Sequence, residues 1–265
     1  MRRRFFVEHF DSNSATLRGD AAEHLGRVLR AEPGQLYELS DGHHVWLGRV
    51  QRIALSKHGD NRVEFALVEP ISATEPNLRI TLLLSLVKFD RFEWCLEKAT
   101  ELGVTEIVPM AAARTDKPLI GAAPKRLVRW KKILLESAQQ SRRLRVPRLT
   151  AAPGGSESPS HSVARIVNAP RAFAQISTNC KIILSERREA PPLREILAAA
   201  APNGTAARPK SVALAIGPEG GWTDEELAAA RAEGFAEALL GENILRTETA
   251  VLAAIVILQF AFGDS

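Results

Sequence analysis

The sequence predicts an α/β chain built on a parallel sheet with crossover helices, preceded by a small β-rich module. Three observations carry this. Apolar runs at residues 80–87, 180–186 and 212–216 alternate with segments of helical periodicity, the order of a parallel sheet with crossover connections. The runs are apolar almost throughout, as strands covered on both faces are. Before residue 71 the pattern differs, with short strand-like runs separated by turn signals.

In order, FFVEHF, QLYELS, HHVWLGRVQRIAL and RVEFALVE read as strands, punctuated by Pro33–Gly34, Asp41–Gly42 and HGDN at residues 58–61. One helix interrupts them, with Asp20 as a plausible N-cap and Ala21, Leu25, Val28 and Leu29 on one face. This is a β-barrel-like module. ISATEPN at 71–77 is a linker, which gives domains at 1–72 and 73–265. Beyond it come a strand at 80–87, a helix at 91–102 stopped by Gly103, and a strand at 106–109. Pro124 opens a basic helix in which Leu127, Trp130, Leu134 and Ala138 recur at helical spacing. PGGSESPSHS (153–162) is a loop, CKIILSE a strand, APPLREILAAAA a helix and PNGTAARPK (202–210) a loop.

Composition excludes several classes. Hydrophobic residues make up 45% of the 265 and charged residues 25%, as in a soluble globular protein. The apolar stretch 250–262 is shorter than the ~20 residues of a spanning helix, so no membrane partner is expected. The N-terminus lacks the apolar run of a secretory signal, which points to a cytoplasmic protein. Cys95 and Cys180 are far apart in sequence, and no histidine stands at ligand spacing from either, so neither a disulfide nor a metal site is expected. The net charge is +4, yet residues 123–148 hold nine basic residues and one acid, so that segment is +8 and the remainder −4. Such a cluster suits a polyanion or a solvated helix face about equally.

The most informative stretch is SVALAIGPEGGWTDEEL, followed by EALLGENILRTETA. Glycines at 217, 220 and 221 let the backbone turn tightly and admit a ligand closely. Thr223 and Glu226 have the spacing of a capping box, so a helix starts at once. A helix N-terminus favours anions, and taken alone the turn suggests phosphate. The fingerprints of P-loop and dinucleotide-binding proteins are both absent. A second short strand breaks at Gly241 and another helix opens near Thr247. The two exits can share one crevice, the usual ligand position in open α/β sheets.

IGPEGG with LLGENILRTETA, together with HLGRVLR (24–30), KFDRFEWCLEKATELGV (88–104) and ESAQQSRRLRVP (136–147), resembles the SPOUT class of RNA methyltransferases. Within that class the blocks, in order over essentially the whole chain, resemble the RsmE family, which methylates N3 of a uridine in 16S ribosomal RNA of the small ribosomal subunit, in the decoding region. The resemblance implies a SPOUT-type parallel sheet with a C-terminal trefoil knot after a PUA-like β-barrel; periodicity alone would not suggest a knot. It implies S-adenosyl-L-methionine as cofactor, held at Leu184, Gly217, Pro218, Glu219, Gly220, Leu240, Gly241, Ile244, Leu245 and Arg246. Arg246 would stabilise charge developing on the uracil, with Glu219 or solvent taking the N3 proton. Arg4, Arg30, Lys131, Lys132, Arg142, Arg143 and Arg145 would meet RNA phosphates. A homodimer is implied, buried by Val251, Leu252, Ile255, Val256 and Leu258. The alternatives are a non-catalytic ribosome assembly factor and a methyltransferase of the same class acting on another RNA.

Overall fold

A computed structural model describes residues 3–56, 60–73, 75–150, 166–201 and 208–263. The loop at 153–162 and residues 202–207 of PNGTAARPK lie outside the described residues. The chain forms two compact units, one of residues Met1–Glu75 and Leu135–Val146, the other of Pro76–Leu134 and Pro147–Ser265.

The first unit carries strands β1 (Arg4–Phe6), β2 (Ser14–Arg18), β3 (Leu36–Ser40), β4 (Val45–Ala54) and β5 (Arg62–Ile71). They form one mixed sheet in the order β1-β3-β4-β5-β2, parallel only between β1 and β3. β2, with the sequence SATLR, is a strand the turn-and-run pattern does not pick out, because alternation over five residues is brief. Inward positions alternate as the pleat requires: Ala15, Leu17, Val63 and Phe65 are buried together with Phe5, Leu25, Leu39 and Val50.

Helix α1 (Gly19–Glu23) starts with Arg18, not Asp20, at its N-cap, and no side chain caps it. The chain then widens into a π-helical turn, His24–Val28, closed by Leu29 N–H donating to His24 O at 3.0 Å. A π turn rotates later residues off the 3.6-residue face. Leu25 is buried while Val28 is 65% exposed, which corrects the expected apolar stripe.

The second unit holds β6 (Arg79–Ser85), α2 (Phe89–Glu101), β7 (Glu106–Ala111), α3 (Lys117–Ala122) and most of α4 (Leu127–Gln140). There follow β8 (Arg148–Leu149), β9 (Val167–Asn168), α5 (Ala169–Ala174), β10 (Cys180–Leu184), α6 (Leu193–Ala200), β11 (Ser211–Ile216), α7 (Asp224–Ala232), β12 (Ala236–Ala238) and α8 (Thr247–Phe262). The strand order is β12-β10-β11-β6-β7-β8, with β9 also on β7, and every pairing is parallel.

Strand alternation splits the core. Leu83, Ile183, Ala213 and Ala215 cluster with Phe173 of α5 and Leu227 of α7. Leu82, Leu84 and Leu214, equally buried, point to the other face. α8 packs along α2 and on β11, and Gln259 donates to Leu102 O at 3.2 Å. Gly103 ends α2 at φ 90°, the left-handed position that favours glycine. Pro124 falls in a 3-10 turn, Ala123–Arg126, ahead of α4 rather than in its first turn. Trp130 and Leu134 are buried as their spacing predicts.

Candidate functional site

The site lies at the carboxyl ends of β10 and β11 and in the segment joining β12 to α8. β11 ends at Ile216 and the chain turns through Gly217–Trp222 before α7. Thr223 caps α7 with its hydroxyl on Glu226 N–H, while Glu226 Oε2 accepts from Thr223 N–H at 3.0 Å. Glu226 is only 4% exposed because its other oxygen accepts Ala113 N–H at 2.8 Å. One carboxylate therefore fixes the exit of β7 to the start of α7. Gly221 sits at φ 69°. A Cβ on Gly217 would come within 3.0 Å of the Trp222 ring, and one on Gly220 within 3.2 Å of Arg114 Cβ. At either position an added methyl group would make its neighbour shift by a few tenths of an ångström.

The second wall is pinned from several sides. Ser185 N–H donates to Ala238 O at 3.0 Å and Leu193 N–H to Leu239 O at 2.8 Å. Thr247 Oγ1 donates to Gly217 O at 3.3 Å, joining the start of α8 to the glycine loop. Arg246 is the N-cap of α8 and caps with no side-chain bond.

These walls enclose a cleft of about 970 Å³. Leu184, Gly217, Pro218, Glu219, Gly220, Leu240, Gly241, Ile244 and Leu245, all named from the sequence, line it together. Arg246 does not line it and is exposed. Its guanidinium makes no ion pair with a described residue. Glu219 is held by Arg91, Nη1 to Oε1 at 2.9 Å.

Sequence reasoning missed Arg91, Arg114, Trp222 and Thr247. Arg114 crosses the glycine loop and donates to Gly220 O at 2.6 Å. The only signal for Arg91 was its place in the KFDRFEW block, and none marked Arg114. Cys95, one turn after Arg91, is fully buried; burial, then the charges of Glu248 and Glu219, push its thiol up to about 12.

The residues expected to bind RNA fare unevenly. Arg4 is 7% exposed and gives Nε and Nη2 to Glu38 Oε2, so its charge is spent inside the first unit, which corrects its assignment to a phosphate. Arg142 lies 3.5 Å from the other Glu38 oxygen. Arg143 is half-buried, and burial pushes its guanidinium down to about 10. Arg145 bonds Gly42 O and pairs with Glu75 at 2.6 Å. Arg30, Lys131 and Lys132 are exposed.

The cleft suits a nucleoside-bearing sulfonium. Its volume lies within the range of small-molecule and cofactor pockets, its backbone is bare at the glycines, and a Cβ on Gly241 would meet nothing within 4 Å. Among the described residues no group of three histidines, cysteines or carboxylates could hold a metal ion.

The parallel α/β unit with this cleft at its strand exits is that of an RNA methyltransferase by family: the RNA methyltransferase domain family matches residues 74–259. The chain belongs, more narrowly, to the family of ribosomal RNA small subunit methyltransferase E. The Synechocystis protein of that name is 33% identical over 244 residues, 91% of this chain and 71% of the relative. The Bacillus subtilis protein of that name is 27% identical over 97% of this chain and 96% of its own. Among solved structures, ribosomal RNA small subunit methyltransferase E from Neisseria gonorrhoeae, bound to S-adenosyl methionine, is 31% identical. It superposes with a TM-score of 0.78 over 100% of this chain and 99% of that one. A methyltransferase from Legionella pneumophila with bound S-adenosyl methionine is 26% identical, again with a TM-score of 0.78 and all of both chains covered.

Proposed function

We propose that this protein transfers a methyl group from S-adenosyl-L-methionine to N3 of a uridine in 16S ribosomal RNA of the small ribosomal subunit, in the cytoplasm. The observation that carries the reading is the cleft formed where Gly217–Trp222 meets the segment ending at Thr247, lined by the residues the family resemblance assigns to the cofactor. When bound, the cofactor supplies an electrophilic methyl on a cationic sulfur.

The chain's own residues do the rest. Gly217, Gly220 and Gly241 leave backbone amides and carbonyls accessible, and Leu184, Leu240 and Leu245 give apolar walls that exclude water. Arg246, exposed and without an ion pair, offers a permanent positive charge to the uracil carbonyls as N3 loses its proton. The proton goes to Glu219 or to solvent; the Glu219–Arg91 ion pair weighs against Glu219, since protonation would give that pair up.

The finer architecture follows the same reading. The segment between β12 and α8 is the threaded part of a trefoil knot, and the mixed five-stranded sheet is a PUA-like RNA-binding module. Arg30, Lys131 and Lys132 meet phosphates. The protein works as a homodimer, and here the apolar face is redrawn: Val251, Ile255 and Leu258 are buried within the chain, whereas Val256 and Phe260 are 50% and 88% exposed.

The test is a labelled methyl-transfer assay on assembled small subunits, free ribosomal RNA and transfer RNA, with mass spectrometry of the nucleoside product. 3-Methyluridine in small-subunit RNA is expected. Cofactor binding without any methylated product would leave an assembly factor instead.

A further inference from the structure

Arg91 faces two carboxylates that belong to different walls of the cleft. Its Nη1 lies 2.9 Å from Glu219 Oε1 in the glycine loop, and its Nε 4.0 Å from Glu248 Oε1 in the first turn of α8. The arrangement is built in. Arg91 is on α2, which packs along α8, and the Arg91 and Glu248 side chains are 30% and 18% exposed. The bond from Thr247 to Gly217 O presses the start of α8 against the loop that carries Glu219.

Arg246 stands next to Thr247 and two residues before Glu248, yet it pairs with neither carboxylate. Glu248 keeps a buried oxygen, Oε2, that has no hydrogen-bond partner. Among the described residues Arg91 is the one cation within ion-pair distance of Glu248 or of Glu219, so removing it leaves both carboxylates without a positive partner. An exposed ion pair is worth little by itself, about 0.2–1 kcal/mol, but an arginine drawn into one no longer points at a substrate.

We propose that Arg91 is a positioning residue for methyl transfer: by answering Glu219 and Glu248 it keeps the Arg246 guanidinium uncompensated and directed at the RNA base. This rests on the function proposed above. Arg91 then acts through Arg246, and the two positions are coupled in turnover rather than in cofactor affinity.

A double-mutant cycle tests this with the full chain and small ribosomal subunits as substrate, at saturating S-adenosyl-L-methionine, with cofactor affinity measured by calorimetry. Arg91→Ala is expected to lower kcat by about 10- to 100-fold while the cofactor Kd changes by less than about threefold, and Arg91→Lys to recover most of the loss. In an Arg246→Ala background, read under single-turnover conditions, Arg91→Ala is expected to cost less than about threefold further. An equal loss in both backgrounds overturns the proposal, as does a loss that lies in cofactor affinity, which would make Arg91 only a tie between the walls. Should Arg91→Ala fail to fold, Arg91→Gln, which keeps much of the stem, carries the same cycle. If the unsubstituted chain transfers no methyl group, the function itself fails; if it does and the cycle is additive, only the role of Arg91 fails.

Discussion

Trp222 donates its indole N–H to Leu184 O at 2.8 Å while its ring stacks against Gly217. That one side chain thus ties the glycine loop after β11 to the end of β10, two of the segments that line the cleft. The ring is 7% exposed and also meets Phe173 edge-on, with centroids 5.8 Å apart. Trp222→Phe keeps most of the packing but leaves a carbonyl without its donor, a cost of about 1–3 kcal/mol. Cofactor affinity is expected to fall about tenfold with the fold intact, and Trp222→Ala to cost about 3–5 kcal/mol of stability as well. Calorimetry and thermal melts separate the two effects; unchanged affinity in Trp222→Phe would show that the tie is not needed.

Two glycines of the cleft make opposite predictions. A methyl at Gly220 would press on the Cβ of Arg114 at 3.2 Å and Cδ at 3.4 Å, and a Cβ cannot swing aside as a side-chain tip can. Gly220→Ala should therefore displace Arg114 from Gly220 O and lower stability by about 1–3 kcal/mol, as overpacking does. Gly241→Ala meets nothing within 4 Å, so its melting temperature should match wild type. Any loss of cofactor affinity there reports the ligand and not the fold.

Much of this was legible in the sequence. The apolar runs gave β6, β10 and β11, and the Thr223–Glu226 spacing gave a capping box that is present atom for atom. Nine of the ten residues assigned to the cofactor line one cleft. What stayed hidden depends on long-range pairing. Arg91 and Glu219 are 128 residues apart, and nothing in local pattern says which arginine will meet which carboxylate. The same reason hid the burial of Arg4, whose partner Glu38 lies on the neighbouring strand, so an N-terminal arginine cluster looked like an RNA contact. Val28 misled because one π turn shifts a helical face.

Glu38 predicts a stability effect in the first unit. It is 7% exposed and shared between Arg4 and Arg142. Glu38→Ala leaves the equally buried Arg4 guanidinium uncompensated, which costs about 3–5 kcal/mol. Hydrogen exchange should show the β1 and β3 amides losing protection by a matching factor. Replacing both partners, Arg4→Met with Glu38→Leu, should restore most of it; protection that stays lost would mean that Glu38 matters through Arg142 and not Arg4.

Lys131 and Lys132 predict a salt effect. Both are exposed on α4, so the part in RNA binding proposed for them is release of counterions. Each phosphate contact contributes about 0.7–0.9 to the slope of log affinity against log salt. The double change to alanine should weaken binding at low salt and flatten that slope by about one to two, without changing which uridine is methylated. An unaltered slope would remove these lysines from the RNA interface.

Cys95 predicts an alkaline limit to stability. Its thiol is fully buried, and burial with the nearby charges of Glu248 and Glu219 raises it from the ordinary value of 9.0 to about 12. Because the folded chain holds this proton more tightly, the raised thiol favours the folded state while the thiol is neutral in both states, and that advantage drains away once the unfolded chain begins to ionise. The sign follows: the contribution of the neutral thiol is complete below about pH 9 and is lost as pH climbs through 12. Urea unfolding at successive pH values should show the native chain losing stability over that range, with the loss reduced in Cys95→Ala. Alkylation gives a second measure, since the thiolate is the reactive form. Iodoacetamide at pH 8 should leave Cys95 unmodified in the folded chain and modify it once urea has unfolded it. Parallel stability curves for the two proteins, or rapid labelling of the folded chain, would contradict the packing of α2 against α8 that buries this thiol.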